Sequence, residues 1–182
     1  PDNRNSMTPE LLDAFAAASA EARADHAARV IVIVGSGACF SAGADFRSII
    51  QRDAPVGRVA SDRSMAMYEP FLSVLDIEVP VIGALNGHAV GGGFGLALMC
   101  DLRVGASAAR YGANFAKLGL HAGMAISYVL PRVVGVPRAS EMLFTGRLVD
   151  GEEAVRIGLF NQAVDATAVE SALALDANAR AL

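Results

Sequence analysis

A chain of 182 residues fits one domain and is long enough to bury a sizeable core. Fifteen Lys+Arg against 19 Asp+Glu leave a formal charge of −4, and no basic run interrupts the balance, which excludes an electrostatic footprint for nucleic acid. Hydrophobic residues reach 53% while aromatics are only 6% and Trp is absent, so small side chains must supply much of the core. Cys39 and Cys100 form neither a metal spacing nor a disulfide framework, and a reducing cytoplasm is the expected compartment. No apolar run is long enough to span a bilayer, and residues 1–10 lack the pattern of a signal peptide. Pro rather than Met at position 1 suggests that further residues precede it.

In chain order, residues 1–6 read as a polar loop. Thr8-Pro9-Glu10 is a helix start, with Thr as N-cap, Pro at the first helical position and an acid in the first turn. Leu11, Phe15 and Ala18 give that helix an apolar face, and it should fade near Asp25. Val30 to Val34 are five β-branched residues without alternation, which predicts a strand buried on both faces. The glycine-rich turn Gly35-Ser36-Gly37-Ala38-Cys39-Phe40-Ser41-Ala42-Gly43-Ala44-Asp45 follows directly. A dinucleotide fingerprint would need glycine where Phe40 stands and a helix opening at the turn, so the glycines instead bend the chain close to something. Asp45 is expected to cap a helix to about Ile50, residues 51–60 to form a surface loop, and 61–75 a helix with Met65, Tyr68, Phe71, Leu72 and Leu75 toward the core.

Val81 to Leu85 predicts a second strand, ended by Asn86-Gly87. Gly91, Gly92 and Gly93 then open a helical stretch from Phe94 to Met99. Glycine allows close approach of the backbone, and a helix N-terminus offers unpaired N–H groups and partial positive charge. The combination suits a bound phosphate or a transient oxyanion; a tight turn needed only for packing is the alternative. Further on, 102–105 predicts a strand, 109–112 a turn, 115–123 irregular chain, and about 123–130 and 137–144 helices. Asp150 caps another helix stopped at Gly158, 161–164 is a short strand, and an alanine-rich helix runs from about Thr167.

The two glycine-rich segments, Phe40-Ser41-Ala42-Gly43-Ala44-Asp45 and Asn86-Gly87-His88-Ala89-Val90-Gly91-Gly92-Gly93, resemble the signature segments of the enoyl-CoA hydratase/isomerase (crotonase) family. Asn5-Ser6-Met7, Met99-Cys100-Asp101, Lys117-Leu118-Gly119-Leu120, Leu130-Pro131-Arg132, Phe144-Thr145-Gly146 and Asp150-Gly151-Glu152-Glu153-Ala154 continue the likeness in order along nearly the whole chain. The resemblance implies a single α/β domain over 1–182 with a ββα spiral core and C-terminal helices, its opening hairpin and trimer-forming helices incomplete. It implies homotrimers or hexamers, an acyl-CoA substrate, and no cofactor or metal beyond the CoA carried on that substrate. By motif it puts the thioester oxygen between the amides of Ala42 and Gly92, CoA beside Arg4, Ser41, Ala42 and Ala44, and the acyl group among Tyr68, Phe94, Phe115 and Met124.

Hydratases of that family carry two glutamates, and the matching positions here are Gly95 and Phe115; the aspartate of some isomerases falls at Gly123. None of the three can ionise, so ordinary hydration is not expected, while enolate chemistry with another proton carrier is. His121, on the loop between two of these positions, is the leading substitute, since histidine titrates near neutrality. Tyr68 and Glu69 follow, Tyr68 also reading as core. His88 is expected to support its turn, and Cys100 to be buried and inert. The reaction stays open among isomerisation, decarboxylation, C–C cleavage and slow hydration, and a non-catalytic thioester binder is the alternative. A peptidase would need a Ser-His-Asp set that the sequence does not display.

Overall fold

The computed structural model describes residues 3–44 and 67–169. Helix α1, Pro9–Ala24, opens as the sequence predicts, the Thr8 hydroxyl accepting from Leu11 N, and closes at Asp25. Strand β1, Ile31–Val34, is followed after the glycine turn by β2, Cys39–Ser41. Strand β3, Val81–Leu85, is likewise followed by β4, His88–Val90, and then by helix α2, Gly92–Met99. Strands β5, Leu102–Ala106, and β6, Tyr111–Gly112, make a third pair. Helices α3, Ile126–Val134, α4, Val136–Thr145, and α5, Gly151–Arg156, lead to β7, Gln162–Val164.

The order of the strands explains the architecture. One sheet runs β1-β3-β5-β7 and the other β2-β4-β6, with every pairing parallel. Each successive pair therefore adds one strand to each sheet, and the chain climbs as a spiral. Helix α2 is buried at all eight positions, apolar around its whole circumference because it lies inside the molecule. Edge-on ring pairs, Phe15–Phe71 at 4.8 Å and Tyr111–Phe160 at 4.5 Å, join α1 to the 67–72 helical segment and β6 to the connection that precedes β7, each contributing about 1 kcal/mol beyond area burial.

Several expectations need correction. β1 is not buried on both faces: it is the edge of its sheet, its residues are half-buried, and Val34 is 41% exposed. An open apolar groove of about 250 Å³, lined by Phe15, Ala18, Ile31, Ile33 and Ile77, separates it from α1. Leu75 faces outward at 60% exposure because the helix tightens into a 3-10 turn over Ser73–Asp76, which rotates the face away from Phe71 and Val74. Residues 88–90, for which no strand was expected, and 111–112, inside the stretch read as a turn at 109–112, are short strands, too short to show a period in sequence. Helix α3 starts later than expected and carries Pro131 in its interior. The cap at Asp45, the 46–50 helix, the 51–60 loop, Met65 and most of the C-terminal helix lie outside the described residues. Among the described residues no helix is long and apolar enough to cross a membrane.

Candidate functional site

Asn86 joins the two glycine-rich turns. Its Oδ1 accepts from Gly35 N at 3.0 Å and its Nδ2 donates to Gly37 O at 2.5 Å, linking the β1–β2 connection to the β3–β4 connection. Gly87 lets them touch, since a Cβ there would lie 2.2 Å from Ala38 O. The N-terminal segment braces β2 from the other side: Asn5 Nδ2 donates to Cys39 O at 2.7 Å, and Ser41 Oγ donates to Asn5 O at 2.9 Å. Beyond β2 the chain turns at Gly43 with φ +79°, and a Cβ there would come within 2.6 Å of Val90 O and 2.8 Å of Gly92 N. The exit of β2 is thus pressed against the first turn of α2.

The amide inventory at this contact corrects the expectation for Ala42. Ala42 N donates to Arg4 O at 3.0 Å and is not available to a ligand. Gly43 N donates to Ser41 Oγ at 3.2 Å. Among the described residues, Ala44 N and Gly92 N donate to nothing. In a continuous strand, amides two residues apart point to the same edge. The positive φ at Gly43 breaks that repetition, so Ala42 N stays on the N-terminal segment while Ala44 N is released from it. Gly92 N is the first amide of α2, where helix geometry leaves it unpaired and adds partial positive charge.

Side chains, not backbone, occupy the neighbouring space. A Cβ on Gly95 would meet Met124 Cγ at 2.2 Å and Cβ at 2.5 Å, so Met124 fills the room a larger residue at 95 would need. Met124 and Ala125 both take positive φ, 56° and 51°, an unusual pair of non-glycine residues that bends the chain onto α2 at a local cost of ~1–3 kcal/mol each. A Cβ on Gly123 would lie 2.6 Å from the Tyr68 hydroxyl, and one on Gly92 would lie 3.4 Å from Tyr68 Cε1 and 2.5 Å from Met7 Sδ. Phe115 is buried with its ring 3.8 Å from a Cβ built on Gly91. Burial raises the Tyr68 phenol above its ordinary value, so it remains protonated at neutral pH.

The remaining candidates differ in exposure and partners. His121 is exposed, its Nδ1 3.1 Å from the carbonyl of Ala122. Phe94 is wholly inside, at 0% exposure, and is core rather than the wall of an open pocket. Ser41 is buried and committed to Asn5 and Gly43, so its hydroxyl holds the turn. Arg4 is exposed beside Cys39, whose thiol is held up by burial and pulled slightly back by the guanidinium. His88 is not a turn residue but the first residue of β4, and its Nδ1 accepts from Arg110 N at 2.9 Å, holding the β5–β6 connection rather than its own turn. Cys100 is buried, its thiol pushed up to about 12. Met7, quoted in the sequence as part of the Asn5-Ser6-Met7 motif but not as a site residue, packs on Gly92.

The family model described as enoyl-CoA hydratase/isomerase matches residues 1–179. The chain belongs to this family. It is 40% identical over 159 residues to a protein of Mycobacterium tuberculosis named probable enoyl-CoA hydratase EchA14, covering 87% of this chain and 61% of that protein. The (E)-benzylidenesuccinyl-CoA hydratase of Thauera aromatica is 33% identical over 170 residues, covering 93% of this chain and 65% of that one. The crystal structure of an enoyl-CoA hydratase from Bacillus anthracis superposes with a TM-score of 0.86 at 30% identity, over 99% of this chain and 69% of that one. A monofunctional enoyl-CoA isomerase of M. smegmatis gives 0.76 at 32% identity, over 100% and 77%. The chain thus spans about 61% of the length of the first curated relatives it matches. Hydratases and isomerases stand on the same spiral scaffold, so the enoyl-CoA hydratase/isomerase fold by itself does not select a reaction.

Proposed function

We propose that this enoyl-CoA hydratase/isomerase family member processes acyl-CoA thioesters by holding the thioester oxygen between the amides of Ala44 and Gly92. The observation that carries this reading is the pair of unspent N–H groups on two turns pressed together at Gly43. Donors aimed where charge develops stabilise an enolate oxygen without reorganising, and one such donor is worth on the order of 10²–10³ in rate. The CoA portion lies along the exit of β2 near Ala44, with Arg4 exposed at the same end. The acyl group faces Tyr68, Phe115 and Met124.

The test is spectroscopic. Acetyl-CoA carrying a ¹³C carbonyl should show a lowered C=O stretch when bound, and the thioether analogue lacking that oxygen should bind at least tenfold more weakly. An unshifted stretch with equal affinities would remove the oxyanion reading. A second reading, a thioester binder without turnover, is favoured by Met124 filling the room at Gly95; thioester binding with no turnover of enoyl, β-keto or malonyl substrates would select it. Oligomerisation as a trimer or hexamer is part of the proposal. Exposed Phe144 and Val136 on α4 supply apolar surface for it, and light scattering of the purified chain measures it.

A further inference from the structure

Strand β4 is tied to β6 by a short ladder, so each bond in it matters. Ala89 N donates to Arg110 O at 3.1 Å, and Gly91 N donates to Gly112 O at 3.0 Å. Arg110 N meets a side chain instead of main chain: His88 Nδ1 accepts it at 2.9 Å. The imidazole thus stands in for a main-chain acceptor and lengthens a ladder whose paired residues are Ala89–Tyr111 and Val90–Gly112. Both main-chain polar groups of Arg110 are spent on β4, the N–H on the His88 ring and the C=O on Ala89. At its far end the same ladder grips Gly91, whose carbonyl belongs to the peptide that carries Gly92 N. Among the described residues, the two-residue β6 has beyond β4 the single bridge from Tyr111 to Val149.

We propose that His88 is a positioning residue for the Gly92 donor, acting through β6, and that it holds this role only while its Nδ1 carries no proton. The proposal rests on the oxyanion reading above. Accepting at Nδ1 puts the proton of the neutral ring on Nε2. In the protonated ring both nitrogens are donors, so Nδ1–H would face Arg110 N–H and the bond would give way to repulsion. The ring is exposed and exchanges protons with solvent. On its β6 side stands the Arg110 guanidinium, a second positive charge, whose Nη1 lies 3.4 Å from Asp150 Oδ2. On its β2 side the Cys39 thiol donates to His88 O at 3.1 Å, and the charge of Arg4 reaches that thiol. Protonation loosens the Arg110 end of the ladder, and the displacement passes along two residues of β6 to Gly112 O and Gly91. Histidine titrates near neutrality, so this contribution is present with the ring neutral and is lost as pH falls.

The experiment reads the ratio of two dissociation constants, that of the thioether analogue over that of acetyl-CoA. This ratio reports the grip on the carbonyl oxygen and cancels the contacts of CoA itself. It is measured for the full chain, His88→Ala and His88→Asn at about pH 7.5 and about pH 5.5, beside the ¹³C carbonyl stretch and the melting temperature. At the higher pH, His88→Ala should lower the ratio roughly three- to tenfold, the net worth of one hydrogen bond, and reverse part of the shift in the stretch. His88→Asn, whose Oδ1 can take the place of Nδ1 and does not titrate, should restore both. Toward the lower pH the wild-type ratio should fall by a similar factor, while that of His88→Asn stays within about twofold. A ratio unmoved by His88→Ala and by pH, or a lower melting temperature with the ratio unchanged, would overturn the assignment. Equal affinities for the two ligands in wild type at the higher pH would instead overturn the oxyanion reading. If His88→Ala does not fold, the pH profiles of wild type and His88→Asn decide alone, and parallel profiles sink the proposal.

Discussion

One wall of the site is backbone and the other is side chain, and the two tolerate change differently. On the first, Gly43, Gly87 and Gly93 permit contacts that any Cβ would destroy, and what it offers is N–H groups of the kind every residue but proline carries. On the second, positions 95, 115 and 123 carry Gly, Phe and Gly; Met124 fills the space at Gly95 and Tyr68 the space at Gly123, while Phe115 occupies its own. A backbone oxyanion site survives wholesale exchange of the side chains beside it, provided the turns keep their shape. On the proposed oxyanion reading, the side-chain wall can be rewritten while the backbone donors stay in place, so the scaffold alone does not fix a reaction.

The sharpest way to break this contrast is Gly43→Ala. Its Cβ would collide with Val90 O and Gly92 N at a positive φ, so both turns must shift. Expected outcomes are a loss of turnover of 10²-fold or more and destabilisation of at least about 2 kcal/mol, read by steady-state kinetics and urea unfolding. The other wall is tested by Gly95→Ala, which drives a Cβ into Met124 and should cost about 1–3 kcal/mol from overpacking. Combined with Met124→Ala, the penalty should fall below the sum of the two single changes, giving a coupling of about 1–2 kcal/mol in a double-mutant cycle. Additivity would mean that Met124 does not fill that space in solution.

A pH effect comes from the core. The Cys100 thiol is raised from 9.0 to about 12, chiefly by burial, so the folded state holds its proton more tightly than the unfolded chain. Its contribution is fully present below pH 9.0 and is lost as pH climbs toward about 12, up to roughly 4 kcal/mol, which urea midpoints across that window would reveal in comparison with Cys100→Ala. Consistent with its burial, Cys100 should resist thiol reagents at pH 8 until the protein is unfolded. The smallest effect is expected for His121→Ala. The ring is exposed and leans on its own neighbour's carbonyl, so turnover should stay within about twofold of wild type. A tenfold loss would assign His121 a part in the reaction.

Much of the scaffold was legible because its signals are local. Thr8-Pro9-Glu10 and Asp150 announce helix starts, and both caps form, Asp150 accepting from Glu153 N at 2.8 Å. The β-branched run at 31–34 and the run at 81–85 announce strands, and the ordered motifs announce the family. The strands at 88–90 and 111–112 were not legible, since three and two residues show no period and owe their form to parallel neighbours. The donor pair shows the same limit at atomic scale. Motif position led to Ala42, but which amide is spent depends on where Arg4 lies, a contact across 38 residues.

From the residues alone came the fold class, the two glycine turns and the absence of ionisable groups at 95, 115 and 123, because composition, spacing and residue type are properties of the chain itself. Only the folded structure decided that Ala44 and not Ala42 keeps a free amide, that Met124 occupies the room at Gly95, and that Tyr68 reaches Gly123. Those three facts are contacts between elements far apart in sequence, settled by parallel pairing and by positive φ at Gly43, Met124 and Ala125. Packing across such distances leaves no periodic trace, and so could be read only once the strands were in register.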